Sequence, residues 1–261
     1  MKPIANVNSV KQFTVDALSV RVCGEQSEMA ADAAREVHAY LCDTIAKQDR
    51  AHVILATGNS QLQFLSQLAA MRGLDWSKIT LFHMDEYLGI TSTHKASFRR
   101  YMRERVETVV KPRTFHYLEG DAAEPIKECD RYTRLLREAP IDLCCLGVGE
   151  NGHIAFNDPP VADFADPLAV KIVQLDYACR MQQVGEGHFP NLEAVPQYAL
   201  TLTIPMLCSA KKMVCLCPEK RKAQAVKDAL TGPISTACPA SFLRKQPQCT
   251  LLLDADSVSL L

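Results

Sequence analysis

Ile141-Asp142-Leu143-Cys144-Cys145-Leu146-Gly147-Val148-Gly149-Glu150-Asn151-Gly152-His153 is the stretch that decides the fold. A short apolar run breaks into three glycines within six residues. That pattern reads as a strand buried on both faces and ending in a tight loop. Working outward, Ala51-His52-Val53-Ile54-Leu55-Ala56 repeats the pattern and ends in the turn Thr57-Gly58-Asn59-Ser60. Ile79-Thr80-Leu81-Phe82 is a further strand, followed by His83-Met84-Asp85-Glu86-Tyr87. Tyr198 to Thr203, Met213 to Cys217 and Cys249 to Leu253 read as strands as well. Between them, helical periodicity covers residues 27 to 48, Gln61 to Met71, Ala123 to Arg137 and Glu219 to Leu230. Continuous apolar strands alternating with amphipathic helices predict an α/β fold. The expected form is a Rossmann-like three-layer sandwich with a mainly parallel sheet. The 261 residues suit a single domain, residues 1–261, with no repeat or linker. Residues 161–196 are poorer in pattern and hold Gly185, Gly187, Pro190 and Pro196. They read either as a lid over a site or as a surface excursion.

Composition narrows the function. A formal net charge of -1 supplies no broad basic field, so neither nucleic acid nor acidic lipid is an expected partner. A small anion would need a local positive pocket. No run of about 18 apolar residues exists, so no membrane span is expected. Met1-Lys2-Pro3-Ile4-Ala5-Asn6 lacks the apolar core of an export signal. Of the eleven cysteines, Cys144 and Cys145 sit in one apolar run, and Cys215 and Cys217 alternate in another. They read as reduced core thiols of a cytoplasmic protein. No CxxC pair occurs and the seven histidines do not cluster at ligand spacing, so no metal site is expected.

In parallel sheets, ligands bind outside the carboxyl ends of the strands. That rule marks Thr57–Ser60, Met84–Tyr87 and Gly147–Pro160. The turn Thr57-Gly58-Asn59-Ser60 between a strand and a helix offers free N–H groups and hydroxyls to an anion. Its plainer reading is helix capping by Asn59 or Ser60. Asp85 and Glu86 follow a buried strand, and on an extended chain neighbouring side chains point opposite ways. Only one should face a pocket, where desolvation would suit it to act as a general base. Otherwise the pair is a solvated loop with a helix cap. His153, in the glycine loop, carries the side chain best matched to proton transfer near neutrality. Asp158 lies five residues on and could fold back to orient the imidazole. The alternative is an exposed loop histidine. Lys222, in Lys220-Arg221-Lys222, opens a helix and would suit a bound phosphate, or is simply solvated. Arg180, in the lid stretch, is a second candidate cation.

Together these segments resemble the glucosamine-6-phosphate deaminase (isomerase) family, related to 6-phosphogluconolactonases. The likeness runs from about residue 50 to about residue 254. It rests on Thr57-Gly58-Asn59-Ser60, Met84-Asp85-Glu86-Tyr87, Gly152-His153-Ile154-Ala155-Phe156-Asn157, Tyr198-Ala199-Leu200-Thr201 and Lys222-Ala223. Lactonases typically carry Asp-Glu-Arg after the strand and lack Phe-Asn after the histidine loop.

The resemblance implies conversion of glucosamine 6-phosphate and water to fructose 6-phosphate and ammonia. Asp85 matches the base that moves a proton between sugar C2 and C1. His153 matches the group that opens the ring at O5, and Asp158 matches a Glu that supports it. Lys222 and Thr57–Ser60 match the phosphate seat. No metal or organic cofactor is implied. The partner is a small-molecule amino sugar phosphate, with homo-oligomers left open. Two positions depart from the family. Asn151 stands where the better-known branch has Asp, so it can orient an imidazole without supplying charge. Asp158 is a methylene shorter than Glu, so reaching His153 requires a shifted backbone. Of the basic pair that binds N-acetylglucosamine 6-phosphate in allosteric members, Lys171 matches one and Ala169 replaces the other. No such activation is expected. A lactonase on the same fold and a non-catalytic sugar-phosphate sensor are the alternative functions.

Overall fold

A computed structural model describes residues 11–261, so the Met1–Asn6 stretch lies outside the described residues. The chain starts with a hairpin of β1 (Lys11–Val15) and β2 (Leu18–Val22). Then α1 (Gln26–Gln48) buries a face of mostly small residues that includes Ala30, Ala33, Ala34 and Val37. Small side chains at these spacings let the helix lie close to the sheet. β3 (Ala51–Leu55), α2 (Asn59–Ala70), β4 (Ile79–His83) and the short β5 (Asp85–Tyr87) follow. α3 (Phe98–Met102) continues through a π-helical turn into α4 (Thr108–Val110), ahead of β6 (Thr114–His116). The next elements are α5 (Pro125–Arg137), β7 (Leu143–Gly147), β8 (Val170–Gln174), α6 (Tyr177–Gly185) and β9 (Tyr198–Leu202). The chain closes with α7 (Ile204–Cys208), β10 (Lys212–Cys217), α8 (Ala223–Thr231) and β11 (Cys249–Leu253).

Eight strands form the main sheet in the order β1-β2-β11-β10-β7-β3-β4-β6. Every pairing is parallel except the β1–β2 hairpin. Alternate residues of the central strands feed two cores, one on each face. Ile54, Cys144, Leu146, Cys215 and Cys217 enter one. Val53, Leu55, Leu143, Cys145, Val214 and Leu216 enter the other. This is the expected Rossmann-like three-layer arrangement. All eleven cysteines are free thiols and nine are buried, so they pack as apolar side chains. No helix among the described residues is long and apolar enough to cross a membrane.

The topology also places a crevice. From β3 the chain runs outward through β4 to β6, then returns to the other side of β3 with β7, β10 and β11. The loops after β3 and β7 therefore diverge, which opens the crevice where ligands bind in such sheets. One strand departs from expectation. Tyr198–Leu202 does not join the main sheet. It is the centre of a separate antiparallel sheet, β5-β9-β8. That sheet anchors a third core, in which Tyr87 and Phe156 pack with Val173 and Phe189 of the segment 161–196.

Candidate active site

Four loops from the carboxyl ends of the strands and the helix α6 line one cleft of about 660 Å³, its open mouth included. All three segments marked in the sequence meet there, and Lys222 joins them.

Thr57, Gly58, Asn59 and Ser60 form the floor. Gly58 has φ 98, a conformation that side chains rarely adopt, and this lets the chain turn straight from β3 into α2. No side chain caps α2. Its first amides and its dipole therefore face the cleft, and the capping reading of Asn59 and Ser60 falls away. Lys222, only 5% exposed, lies opposite on the 3₁₀ turn Lys220–Lys222 and forms no salt bridge among the described residues. Burial lowers its pKa from the ordinary lysine value. Such a group gains strongly from a dianion beside it.

Arg221, the neighbouring residue, also lines the cleft. It bonds Glu219 at 2.6 Å, Glu186 at 2.7 Å and Glu150 at 3.0 Å. One guanidinium thus joins the loop after β7 to the end of α6. Burial works to raise the Glu186 carboxyl, but hydrogen bonds from His188 and Gln182 and the Arg221 charge outweigh it and bring its pKa to about 2. The sequence reading passed over Arg221, although it lies in the basic run that marked Lys222. Arg180, expected as a phosphate ligand, is off the cleft. Its Nη2 donates to the carbonyls of Leu192 at 2.6 Å and Val195 at 3.0 Å, which braces the segment around α6.

Asp85 and Glu86 do point opposite ways. Glu86 is fully buried and accepts from Ser97 Oγ and from the amides of Tyr87, Phe98 and Arg99 at 2.7–3.1 Å. Arg99 Nε adds a charged contact at 3.3 Å. Glu86 therefore secures the start of α3. Asp85 faces the cleft, is 6% exposed, and its Oδ1 has no hydrogen-bond partner. Desolvation, with the Glu86 charge adding to it, raises its pKa well above the usual carboxylate value. A desolvated carboxylate with a free lone pair, aimed into a cleft, is suited to take a proton from carbon.

His153 closes the same cleft. Its ring lies so close over the loop that a Cβ on Gly149 would fall 2.1 Å from its Cε1, which is why that position has no side chain. Nδ1 contacts Asn151 Oδ1 at 2.7 Å and Asp158 Oδ1 at 2.9 Å. Asn151 Nδ2 donates to the same Asp158 oxygen at 3.0 Å. The shorter Asp158 side chain thus does reach the imidazole. Its backbone is brought in by Asn157, whose Nδ2 donates to the carbonyls of Ile154 and Leu202 at 2.9 Å each. Phe156 N donates to Thr201 Oγ1 at 3.1 Å. Asn157 and Thr201 therefore hold the loop against β9. Burial pushes the Asp158 carboxyl up, but the bonds from His153 and Asn151 prevail and its pKa is lowered. Cys179 Sγ lies with the His153 and Asp158 ligand atoms inside a 4.8 Å cluster, close enough together to hold a metal ion. The His153 and Asp158 atoms are already bonded to each other and to Asn151, as an orienting network requires.

From the segment 161–196, α6 supplies Gln182 and Gln183 to the roof, and the chain just beyond supplies Glu186 and His188. Tyr87 Oη donates to Gln183 Oε1 at 2.7 Å, and Gln182 Oε1 accepts from Glu150 N at 3.1 Å. Lys171, in β8, bonds Asp166 at 2.9 Å and the Val161 carbonyl at 2.7 Å.

An open parallel sheet whose switch-point cleft combines an uncapped helix start, a buried lysine, a desolvated carboxylate and an oriented histidine has the make-up of an enzyme of acid–base chemistry on small substrates. Comparison with known proteins narrows the class. Residues 24–170 match the family described as glucosamine-6-phosphate isomerases/6-phosphogluconolactonase, and the chain belongs to that family. It is 34% identical over 207 residues to a glucosamine-6-phosphate deaminase of Exiguobacterium sibiricum, a span covering 79% of this chain and 80% of the relative. It is 31% identical over 233 residues to glucosamine-6-phosphate deaminase 1 of Giardia intestinalis, which covers 87% and 86% of the two chains. Among solved structures, a monomeric glucosamine-6-phosphate deaminase superposes with a TM-score of 0.85 at 32% identity, over 93% of this chain and 99% of that one. A 6-phosphogluconolactonase from Shewanella baltica shares the fold, with a TM-score of 0.76 at 16% identity over 95% and 100%.

Proposed function

We propose that this chain is a glucosamine-6-phosphate deaminase, converting glucosamine 6-phosphate and water to fructose 6-phosphate and ammonia. The observation that carries the reading is the free, buried Asp85 carboxylate sharing one cleft with the Thr57–Ser60 seat, Lys222 and His153. The phosphate binds at the start of α2 with Lys222 as its counter-charge. His153, oriented by Asn151 and Asp158, takes the proton of the O1 hydroxyl and, as imidazolium, hands it to the ring oxygen as the C1–O5 bond breaks and the pyranose opens. Asp85 then takes the C2 proton and returns it to C1. This leaves a C2 iminium that adds water and expels ammonia. No step calls on a metal or organic cofactor. Residues 161–196 act as a lid on a single domain and keep bulk water from the enolic intermediate. The free thiols suit the reducing cytoplasm.

The test is direct. The pure protein is incubated with glucosamine 6-phosphate while ammonia and fructose 6-phosphate are measured. Equal release of both supports the proposal. Hydrolysis of 6-phosphogluconolactone with no ammonia would reassign the protein as a lactonase, and binding without turnover would make it a sensor.

A further inference from the structure

A second cleft lies at the other end of the same strands. Its base is a polar row across three neighbours: His52 of β3 pairs with Thr80 of β4, and Thr80 pairs with Thr114 of β6. The next row is Ile54, Phe82 and His116. A sheet covered on both faces normally has apolar side chains at such positions. Here α5 ends at Arg137 and leaves the row uncovered. Arg50, just ahead of β3, and Arg113, just ahead of β6, rise on either side. Glu138 stands at the end of α5. Together these residues line a cleft of about 840 Å³, its open mouth included. Among the described residues, none of these polar side chains spends its donors or acceptors on another part of the chain.

We propose that this cleft is a second anion site, and that its ligand is a small phosphate monoester carrying hydroxyl groups. β3 and β6 flank β4, so they stand about 10 Å apart, close enough for two arginine side chains to converge over Thr80. Arg50 and Arg113 both line the cleft beside His52, and the nearby Asp142 carboxylate, which accepts from His52 N, is buried and already paired with Lys211. Guanidinium groups bind phosphate through paired donors, and the two threonine hydroxyls and neutral imidazole N–H groups can supply more. Burial lowers the pKa of both His52 and His116, so near neutrality the cation at this point is arginine. The Glu138 carboxylate repels a bare anion but accepts hydrogen bonds from hydroxyls on the far end of an ester. That asymmetry favours the ester over inorganic phosphate.

Isothermal titration of the whole chain at low salt tests this, with inorganic phosphate and glycerol 3-phosphate as probes. Glycerol 3-phosphate should find two sites per chain. Arg50→Ala with Arg113→Ala should weaken one of them by about tenfold or more and leave deaminase turnover unchanged. Lys222→Ala should spare that site. Glu138→Ala should weaken the ester there but not inorganic phosphate. Arg50, Arg113 and Glu138 are exposed, so melting curves matching the wild type should accompany these variants. Two-site binding that survives loss of both arginines would overturn the proposal, as would a single site abolished by Lys222→Ala. Binding of both probes too weak to saturate, and unchanged by loss of both arginines, would overturn it too. A single site lost only in the arginine variant would support this cleft while refuting the phosphate seat proposed for the catalytic one.

Discussion

Asp158→Asn tests the histidine network with little change of shape. Asp158 is fully buried and takes three donors: His153 Nδ1 at 2.9 Å, Asn151 Nδ2 at 3.0 Å and Asp176 N at 3.3 Å. An amide has one acceptor oxygen in place of two. With that oxygen kept towards His153 and Asn151, its NH₂ confronts the Asp176 amide at the start of α6. The imidazolium formed in turnover also loses its carboxylate. A hydrogen bond to a charged group is worth about 1.5–3 kcal/mol, so kcat/KM should fall by roughly ten- to 150-fold. Asp158 does not line the cleft, so most of the loss should be in kcat. The readout is ammonia and fructose 6-phosphate release across a range of substrate concentrations.

A second readout comes from stability. The Asp158 pKa is lowered from 3.8 in the folded protein, so its ionised form stabilises the fold above pH 3.8. That contribution is lost as pH falls through the lower folded value. Asn lacks it at every pH. The stability gap between wild type and variant, from denaturant melts, should therefore be steady near neutrality and narrow below pH 3.8. A variant whose kcat/KM stays within about threefold of wild type would refute the charge argument, and so would a stability gap that ignores pH.

Asp85→Asn should abolish proton exchange at C2 while binding survives, as read by deuterium incorporation from solvent. Because folding raises the Asp85 pKa, its ionisation destabilises the fold above that value and costs nothing below 3.8. The variant should thus melt higher than wild type near neutrality and lose this advantage on acidification. Lys222→Ala should raise KM by about tenfold or more with kcat little changed, since a ground-state phosphate contact is removed. A fall in kcat at constant KM would give the lysine another role. Arg221→Ala leaves Glu150 and Glu186 without their cation, and because the Glu186 side chain is only 7% exposed the variant should lose stability in denaturant melts while KM rises as the lid loosens. An unchanged KM would remove the lid latch from the account. N-acetylglucosamine 6-phosphate should leave the velocity curve unchanged, because Lys171 already bonds Asp166 and Val161 and Ala169 offers no charge. A change from sigmoidal to hyperbolic would refute that.

The sequence makes the parallel sheet legible because strands buried on both faces are predominantly apolar. Cys249–Leu253 has the expected bounds for that reason, and it is buried at all five positions. The small sheet β5-β9-β8 carries no such mark. β5 is three residues long and begins with two carboxylates, and its partner Tyr198–Leu202 lies more than a hundred residues away. Side-chain alternation still required that only one of Asp85 and Glu86 face the pocket, because alternation is a property of any extended backbone; which of the two does so came from the family resemblance. Alternation could not assign the arginines. Arg180 and Arg221 carry the same charge, and only tertiary contacts turn one to backbone carbonyls and the other to the cleft.

The histidine network shows the same limit at the scale of one side chain. Counting atoms from the backbone makes Asp158 too short for a position that Glu normally serves. The deciding contact is neither at Asp158 nor at His153. Asn157 ties the chain to the Leu202 carbonyl on β9, and that draws Asp158 to within 2.9 Å of the imidazole. Asn151 then bridges the histidine and the carboxylate, so it orients the ring without adding charge. The two departures from the family compensate one another, because a second carboxylate at position 151 would sit 3 Å from Asp158 and repel it. Asn151→Asp should therefore lower stability near neutral pH and not raise activity. A gain in kcat would show that the network lacks charge after all.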